Sequence, residues 1–287
     1  MRIALATAIA AFTLDEDLPP LRAALEARGH HAEPVAWDDP TVSWARFDLV
    51  LLRSTWNYTQ QPDAFLRWCE AVADRTRLLN PPALVRWNTD KRYLGELAQA
   101  GLPVVPSHYL APGEDPASFP AFDEFVVKPC IGAGSRDTQR YTAPNRAAAV
   151  AHVRRLLEAG RHVLVQPYLE AVDTQGETAL LFFDGHYSHA IRKGPLLARD
   201  GEATRALFAP EAISPREPSA AEFEVAHRVL AAIPGGPPLY ARVDLLPGAD
   251  GPRLLELELT EPSLFFPFAP GSAERFAAAL DTVLATP

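Results

Sequence analysis

Residues 239–262, LYARVDLLPGADGPRLLELELTEP, decide how the rest of the chain is read. Two alternating apolar runs flank a turn built from Pro247, Gly248, Asp250 and Gly251, the pattern of a β-hairpin. Side chains alternate across a strand, so Glu256 and Glu258 share one face, and Leu255, Leu257 and Leu259 are expected on the other. With the turn centred near Ala249–Asp250, Asp244 falls opposite Glu256 and Arg242 opposite Glu258. Like charges directly opposite destabilise an antiparallel pair, so Asp244 and Glu256 need compensation. A bound Mg²⁺ is the source expected, because hard cations take carboxylate oxygens. The competing reading is a sheet with one solvated, ion-paired face. The hairpin alone does not separate the two.

Composition narrows the field. A chain of 287 residues exceeds the common single-domain size, which implies several modules in one body. Hydrophobic content of 48% with 22% charged residues belongs to a globular protein with a sizeable core. The net charge of −9, without any basic run, argues against nucleic acid or an anionic membrane surface as the main partner. The apolar opening MRIALATAIAAF runs into acidic LDEDLPP and reads as a buried strand and loop, not a signal peptide. No apolar run approaches the ~20 residues of a membrane helix. Cys69 and Cys130 are too few for a disulfide framework or a zinc site. The cytoplasm is the compartment expected.

Along residues 1–80, strands alternate with helices: RIALAT, a helix over 18–28, AEPVAW, FDLVLLRS and a helix over 62–74. That order predicts a small parallel-sheet domain. No G-x-G-x-x-G follows the first strand, so the dinucleotide fingerprint is missing. The end of the third strand, RSTWNY, places Arg53, Ser54, Thr55 and Trp56 where open α/β sheets bind ligands. Arg53 as a surface residue paired with an acid such as Asp63 is the alternative. The loop acids Asp15, Glu16 and Asp17 read as solvated.

From Asn88 the pattern changes. NTDKRYLGELAQAG reads as a helix capped by Asn88, with Lys91 in its first turn, where a lysine opposes the helix dipole unless an anion lies close by. PVVPSHYL and EFVVKP read as strands, the second ending near Lys128. IGAGSRDT then forms a glycine-bearing loop before the strand QRYT, and it lacks the G-K-[ST] of a P-loop. Such a tip can cover phosphates with backbone N–H groups, although alone it specifies only a turn. A helix over 146–159, the strand VLVQPYL, and two strands about the Asp184–Gly185 turn follow. Residues 194–218 read as a long loop, and helices over 219–232 and at GSAERFAAALDTVLA complete the chain. Glu177 reads as lying off the site. Arg192 and Lys193 end a strand, where solvation and a role in the site are both open.

Lys91, Lys128 with its glycine loop, VLVQPYL and the acidic hairpin occur in an order that resembles the ATP-grasp superfamily, the carboxylate–amine ligases. The resemblance runs by motif from about residue 80 onward. It implies an α/β (α+β) ATP-grasp fold: an N-terminal substrate-side domain over 1–80, a central lid over 81–170, and a C-terminal subdomain over 171–287. The stretches WNTDKRYL and LELELTEPSLF are most similar to the cycloserine-forming ligase, which closes O-ureido-serine into a ring. By position, the resemblance gives Lys91, Lys128, Gly132, Gly134 and Ser135 to the ATP phosphates. It gives Gln166, Tyr168 and Leu169 to the adenine edge and Asp173 to the ribose. Asp244, Glu256 and Glu258 would hold two Mg²⁺ ions, Glu258 standing where the family often has asparagine. Arg242 or Arg192 would steady the reacting acyl group. The Asn-Gly-Gly that glutathione synthetases and glutamate ligases often carry near 194–218 is missing here.

The chemistry implied is conversion of a small amino-acid-like carboxylate to an acyl phosphate, then attack by nitrogen, with ADP and phosphate released. A monomer and a homo-oligomer both fit. The alternative is a catalytically silent protein that keeps the fold, binds nucleotide and acts through a partner. The pair of lysines, the three hairpin acids and Arg242 together favour the enzyme, since binding alone would tolerate the loss of Arg242.

Overall fold

The computed structural model describes residues 1–197 and 212–285. The apolar opening becomes β1 (Arg2–Thr7), followed by α1 (Leu18–Ala27), β2 (His31–Ala36), β3 (Leu49–Leu52), α2 (Pro62–Ala73) and β4 (Arg77–Leu79). These strands form a parallel sheet in the order β2-β1-β3-β4. Alternation along β1 separates two cores, as a sheet buried on both faces requires. Ile3 and Leu5 pack with α1, whereas Ala4 and Ala6 pack with Trp37, Trp44 and the Phe65 and Cys69 of α2. Pro19 and Pro20 sit in the first turn of α1, where a missing N–H costs nothing.

The next segment departs from expectation. In place of one helix capped by Asn88, there are α3 (Pro82–Asn88) and α4 (Tyr93–Gln99), with Lys91 in the connection between them. Asn88 is the last residue of α3, and its side chain is committed elsewhere: Nδ2 donates to the Leu257 carbonyl at 2.7 Å, and Oδ1 accepts from the Leu259 N–H at 2.7 Å. The Tyr93 hydroxyl bonds the Leu257 backbone as well, at 2.7 Å to the N–H and 2.9 Å to the carbonyl. Both residues serve an edge strand whose outward backbone groups would otherwise lie buried and unpaired.

A second sheet follows, from β5 (His108–Leu110), β6 (Glu124–Pro129), β7 (Gln139–Thr142), α5 (Arg146–Glu158) and β8 (Val163–Pro167). It is antiparallel in the order β5-β8-β6-β7, with α5 packed on Phe125, Val127 and Val165. The strand expected over PVVPSHYL shrinks to its last three residues, plus a single bridge from Val104 to Leu254. Pro103 and Pro106 have no N–H to offer a ladder.

The third sheet carries α6 (Val172–Gln175), β9 (Glu177–Phe183), β10 (His186–Lys193), β11 (Ile213–Pro215), α7 (Ala220–Ala231), β12 (Tyr240–Gly248) and β13 (Gly251–Glu258), and α8 (Ser272–Ala285) ends the described chain. Its order is β11-β10-β9-β12-β13. Of the loop expected over 194–218, residues 198–211 lie outside the described residues, and Ile213–Pro215 pair with β10. Ser219 and Glu222 cap α7 reciprocally. One face of the sheet packs on α7 and α4 through residues such as Val243, Leu245 and Leu257. On the other face, Leu181, Phe183 and Tyr240 join α8, α1 and β1 in one core. The first eighty residues therefore share a hydrophobic core with the end of the chain.

The hairpin forms with Ala249 and Asp250 at its tip, Asp244 opposite Glu256 and Arg242 opposite Glu258. Between the tip and these pairs the register shifts: Leu245 pairs with Leu254, leaving Leu255 as an extra residue in β13. The expectation that Leu255 shares the core face with Leu257 and Leu259 is therefore corrected. Leu254 takes that place, and Leu255 packs with Val105, Val172 and Leu246.

Candidate active site

A cavity of about 450 Å³ is lined by the acidic face of the third sheet, by the second sheet and by loops of the first. It brings together Lys91, Lys128, Gly132, Gly134, Ser135, Gln166, Tyr168, Leu169, Arg242, Asp244, Glu256 and Glu258. Trp56 is the one residue of the Arg53–Trp56 stretch that reaches it. One end is apolar, formed by Val105, Tyr168, Leu169, Val172, Leu246 and the extra residue Leu255. Gly134 and Ser135 take left-handed backbone with φ of 60° each, a conformation that glycine adopts freely and serine rarely does.

Charge dominates the other end. Asp244, 2% exposed, accepts from Arg242 Nε and Nη2 at 2.9 Å each and from Lys193 Nζ at 2.7 Å. Arg242 also donates to Glu258. Lys193 reaches Glu177 at 2.5 Å, and Lys91 reaches Glu256 at 2.9 Å and the Gly132 carbonyl at 2.7 Å. The hairpin acids are thus paired with cations of the chain itself, so their facing arrangement does not by itself require a metal. Burial pushes Asp244 upward, but the adjacent Arg242 and Lys193 outweigh it and hold the carboxyl well below the usual range. Glu177 and Glu258 move the other way, because burial outweighs their cations and neighbouring carboxylates add to it. Lys128 is 8% exposed, and among the described residues no acid reaches it within ion-pairing distance. Burial draws its pKa down.

Several expected site residues sit elsewhere. Arg53 is 1% exposed and does not line the cavity; its guanidinium donates to the carbonyls of Pro262 at 2.8 Å and Leu52 at 3.3 Å. It braces the loop after β13 from within. Ser54 is buried against Thr7, hydroxyl to hydroxyl at 2.7 Å, and Thr55 is also buried. Arg192 faces away, donating to the carbonyls of Gln175 and Thr174, and its neighbour Lys193 points in. Asp173 lies outside the lining, bound to Arg140 and, at 2.5 Å, to the Tyr168 hydroxyl. Arg53→Lys is accordingly expected to cost about 2 kcal/mol of stability, the loss of hydrogen bonds to a buried charge, with little change in KM for an acid substrate. A normal melting temperature with a raised KM would return Arg53 to the substrate pocket.

Three residues escaped the sequence reading, and Lys193, left open there, faces the cavity. Lys193 and Glu177 face each other across β9 and β10, but a register shift between Tyr187 and His189 hides that pairing from a count off the Asp184–Gly185 turn. Asp17, read as solvated, is 4% exposed and accepts the N–H groups of Leu264, Phe265 and Phe266 at 2.5, 3.1 and 2.8 Å. Those bonds hold Phe265 in left-handed backbone at φ 54°. Glu261 lines the cavity, its carbonyl bonded by Trp56 Nε1 at 3.1 Å. Nothing in a one-dimensional pattern announces such long-range partners.

Across 294 aligned residues, the cycloserine biosynthesis protein DcsG of Streptomyces lavendulae is 45% identical to this chain, covering 97% of each protein. The chain belongs to the DcsG family of ATP-grasp ligases. Residues 3–80 of this ligase match the family described as the N-terminal domain of D-cycloserine synthetase DcsG. The crystal structure of D-cycloserine synthetase DcsG superposes with a TM-score of 0.93 at 43% identity, over 99% of this chain and 100% of that one. The ATP-grasp ligase PsnB, solved with its minimal precursor, Mg and ADP, gives a TM-score of 0.61 at 21% identity, over 98% of this chain and 96% of that one, a likeness of fold alone. Among the described residues of the DcsG-family chain, no helix is long and apolar enough to cross a membrane.

The donor set suits Mg²⁺. Among the described residues no three His, Cys, Asp or Glu side chains converge as a ready-made metal cage. Mg²⁺ does not demand one, since it usually takes one or two carboxylates together with substrate phosphates and water. Glu256 and Glu258, with 23% and 25% of their side chains exposed, offer such oxygens to the cavity.

Proposed function

We propose that this ATP-dependent ligase activates the carboxylate of a small amino-acid-like substrate as an acyl phosphate and closes it onto a nitrogen of the same molecule, as in cycloserine formation. The observation that carries this reading is Arg242, shared between Asp244 and Glu258 in the cavity that also holds the uncommitted Lys128. A silent nucleotide-binding protein has no use for an arginine held at that point.

ATP would lie with its base against Leu246, Leu255 and Tyr168 and its phosphates toward Lys91, Lys128 and the loop at Gly132–Ser135. Asp244, Glu256 and Glu258 are the residues that would hold two Mg²⁺ ions, which would supply charge neutralisation across the phosphoryl oxygens. The substrate carboxylate attacks the γ-phosphorus, the bond to the ADP oxygen breaks, and an acyl phosphate forms. Nitrogen then attacks the acyl carbon, phosphate departs, and Arg242 steadies the oxyanion between those events. Closure of the glycine loop would keep water from the intermediate.

Hydroxylamine added during turnover of O-ureido-serine is expected to divert the intermediate to a hydroxamate, while ADP accumulates. AMP with pyrophosphate would mean an adenylate route and would overturn the proposal.

A further inference from the structure

All but one of the acids that β9, β12, β13 and the loop after them present to the cavity have a basic partner. Glu177 and Asp244 share Lys193, Asp244 and Glu258 share Arg242, and Glu256 holds Lys91. Glu261 is the exception. It is 8% exposed and lines the cavity, and among the described residues no lysine, arginine or histidine comes within ion-pairing distance of it. Its carboxyl has a hydrogen bond with the Tyr58 hydroxyl. A hydroxyl orients a carboxylate but does not neutralise it, and a carboxylate taken from water without a countercharge is unfavourably placed. Trp56, fixed by its bond to the Glu261 carbonyl, adds an aromatic wall of the kind that attracts cations.

Among the described residues, Lys128 and, of the acids on the third sheet and the loop after it, Glu261 thus line the cavity without an ion pair, as do Asp15, Glu16 and Asp17 in the loop after β1. Lys128 matches a phosphate, and Glu261 cannot. We propose that Glu261, oriented by Tyr58, is the subsite for a primary ammonium group of the substrate, so that the enzyme takes free amino acids and rejects N-acylated or des-amino acids. This rests on the ligase reading above and adds the charge that its substrate must carry.

The test compares O-ureido-serine with its des-amino analogue under Mg–ATP. Glu261→Gln is expected to raise KM for the amino compound roughly tenfold or more, the loss of one charge-assisted contact, and to leave KM for the des-amino compound within about twofold. ATP affinity by calorimetry should not move. Tyr58→Phe should show the same selectivity with a smaller rise. An equal rise for both compounds, or none for either, overturns the subsite. If the wild-type protein releases ADP with neither compound, the ligase reading fails. Calorimetric binding of the amino compound, with a non-hydrolysable ATP analogue present, then decides the subsite alone: weaker binding to Glu261→Gln supports it, and equal binding overturns it.

Discussion

Asp244→Asn is expected to abolish ligation and to lower the melting temperature together. The carboxylate is almost fully buried and answers two cations, Arg242 and Lys193. Breaking a buried pair by removing one partner costs about 3–5 kcal/mol, because the remaining charge stays uncompensated. An opposing effect exists, since neutralising Asp244 relieves its repulsion with Glu256 across the hairpin. That relief is worth roughly 0.2–1 kcal/mol, so destabilisation wins. Activity should fall about a thousandfold or more, because Arg242 loses the group that orients it and the metal cradle loses a charge. ADP release and thermal unfolding, each with and without Mg²⁺, check both parts. Wild-type turnover would remove Asp244 from the site. A raised melting temperature would mean that the acids repel more than the cations compensate.

Lys128→Ala is expected to weaken ATP binding by roughly ten- to a hundredfold, the worth of a charge-assisted phosphate contact of about 1.5–3 kcal/mol. The same variant should fold at least as stably as the wild type without nucleotide, since among the described residues no acid lies within ion-pairing distance of this buried ammonium and it contributes little to the apo protein. Lys91→Ala provides the contrast. Lys91 is tied to Glu256 and to the Gly132 carbonyl, so its removal should weaken nucleotide binding and also destabilise the fold. Calorimetry with ATP, run beside melting curves, separates the two lysines. Unchanged affinity in Lys128→Ala would overturn the assignment of that residue to the phosphates.

The hairpin was legible because strand alternation is a local rule and its turn is strongly marked. Arg242, Asp244, Glu256 and Glu258 fell where that rule put them. The parallel sheet of the first eighty residues was legible for the same reason, short apolar runs alternating with helices. What stayed hidden depends on partners distant in sequence. Asn88 resembles a helix cap until β13 appears beside it, and Asp17 resembles a solvated acid until residues 264–266 fold over it. Arg53 and Arg192 sit at strand ends, as a binding residue would, yet their side chains are taken by carbonyls of Pro262 and Gln175. Spacing says which face a side chain leaves from, and only packing says what it meets.

The extra residue in β13 has a consequence for how this enzyme can vary. In an unbroken strand a one-residue deletion exchanges inside and outside for everything beyond it. Deleting Leu255 would instead leave Leu254 and Glu256 on the faces they already occupy, because the surplus residue is the one removed. The loss would fall on the apolar end of the cavity, where Leu255 packs with Val105, Val172 and Leu246. Length change at this position is therefore parity-neutral for the acids. It alters the apolar end of the cavity while sparing the charge lattice.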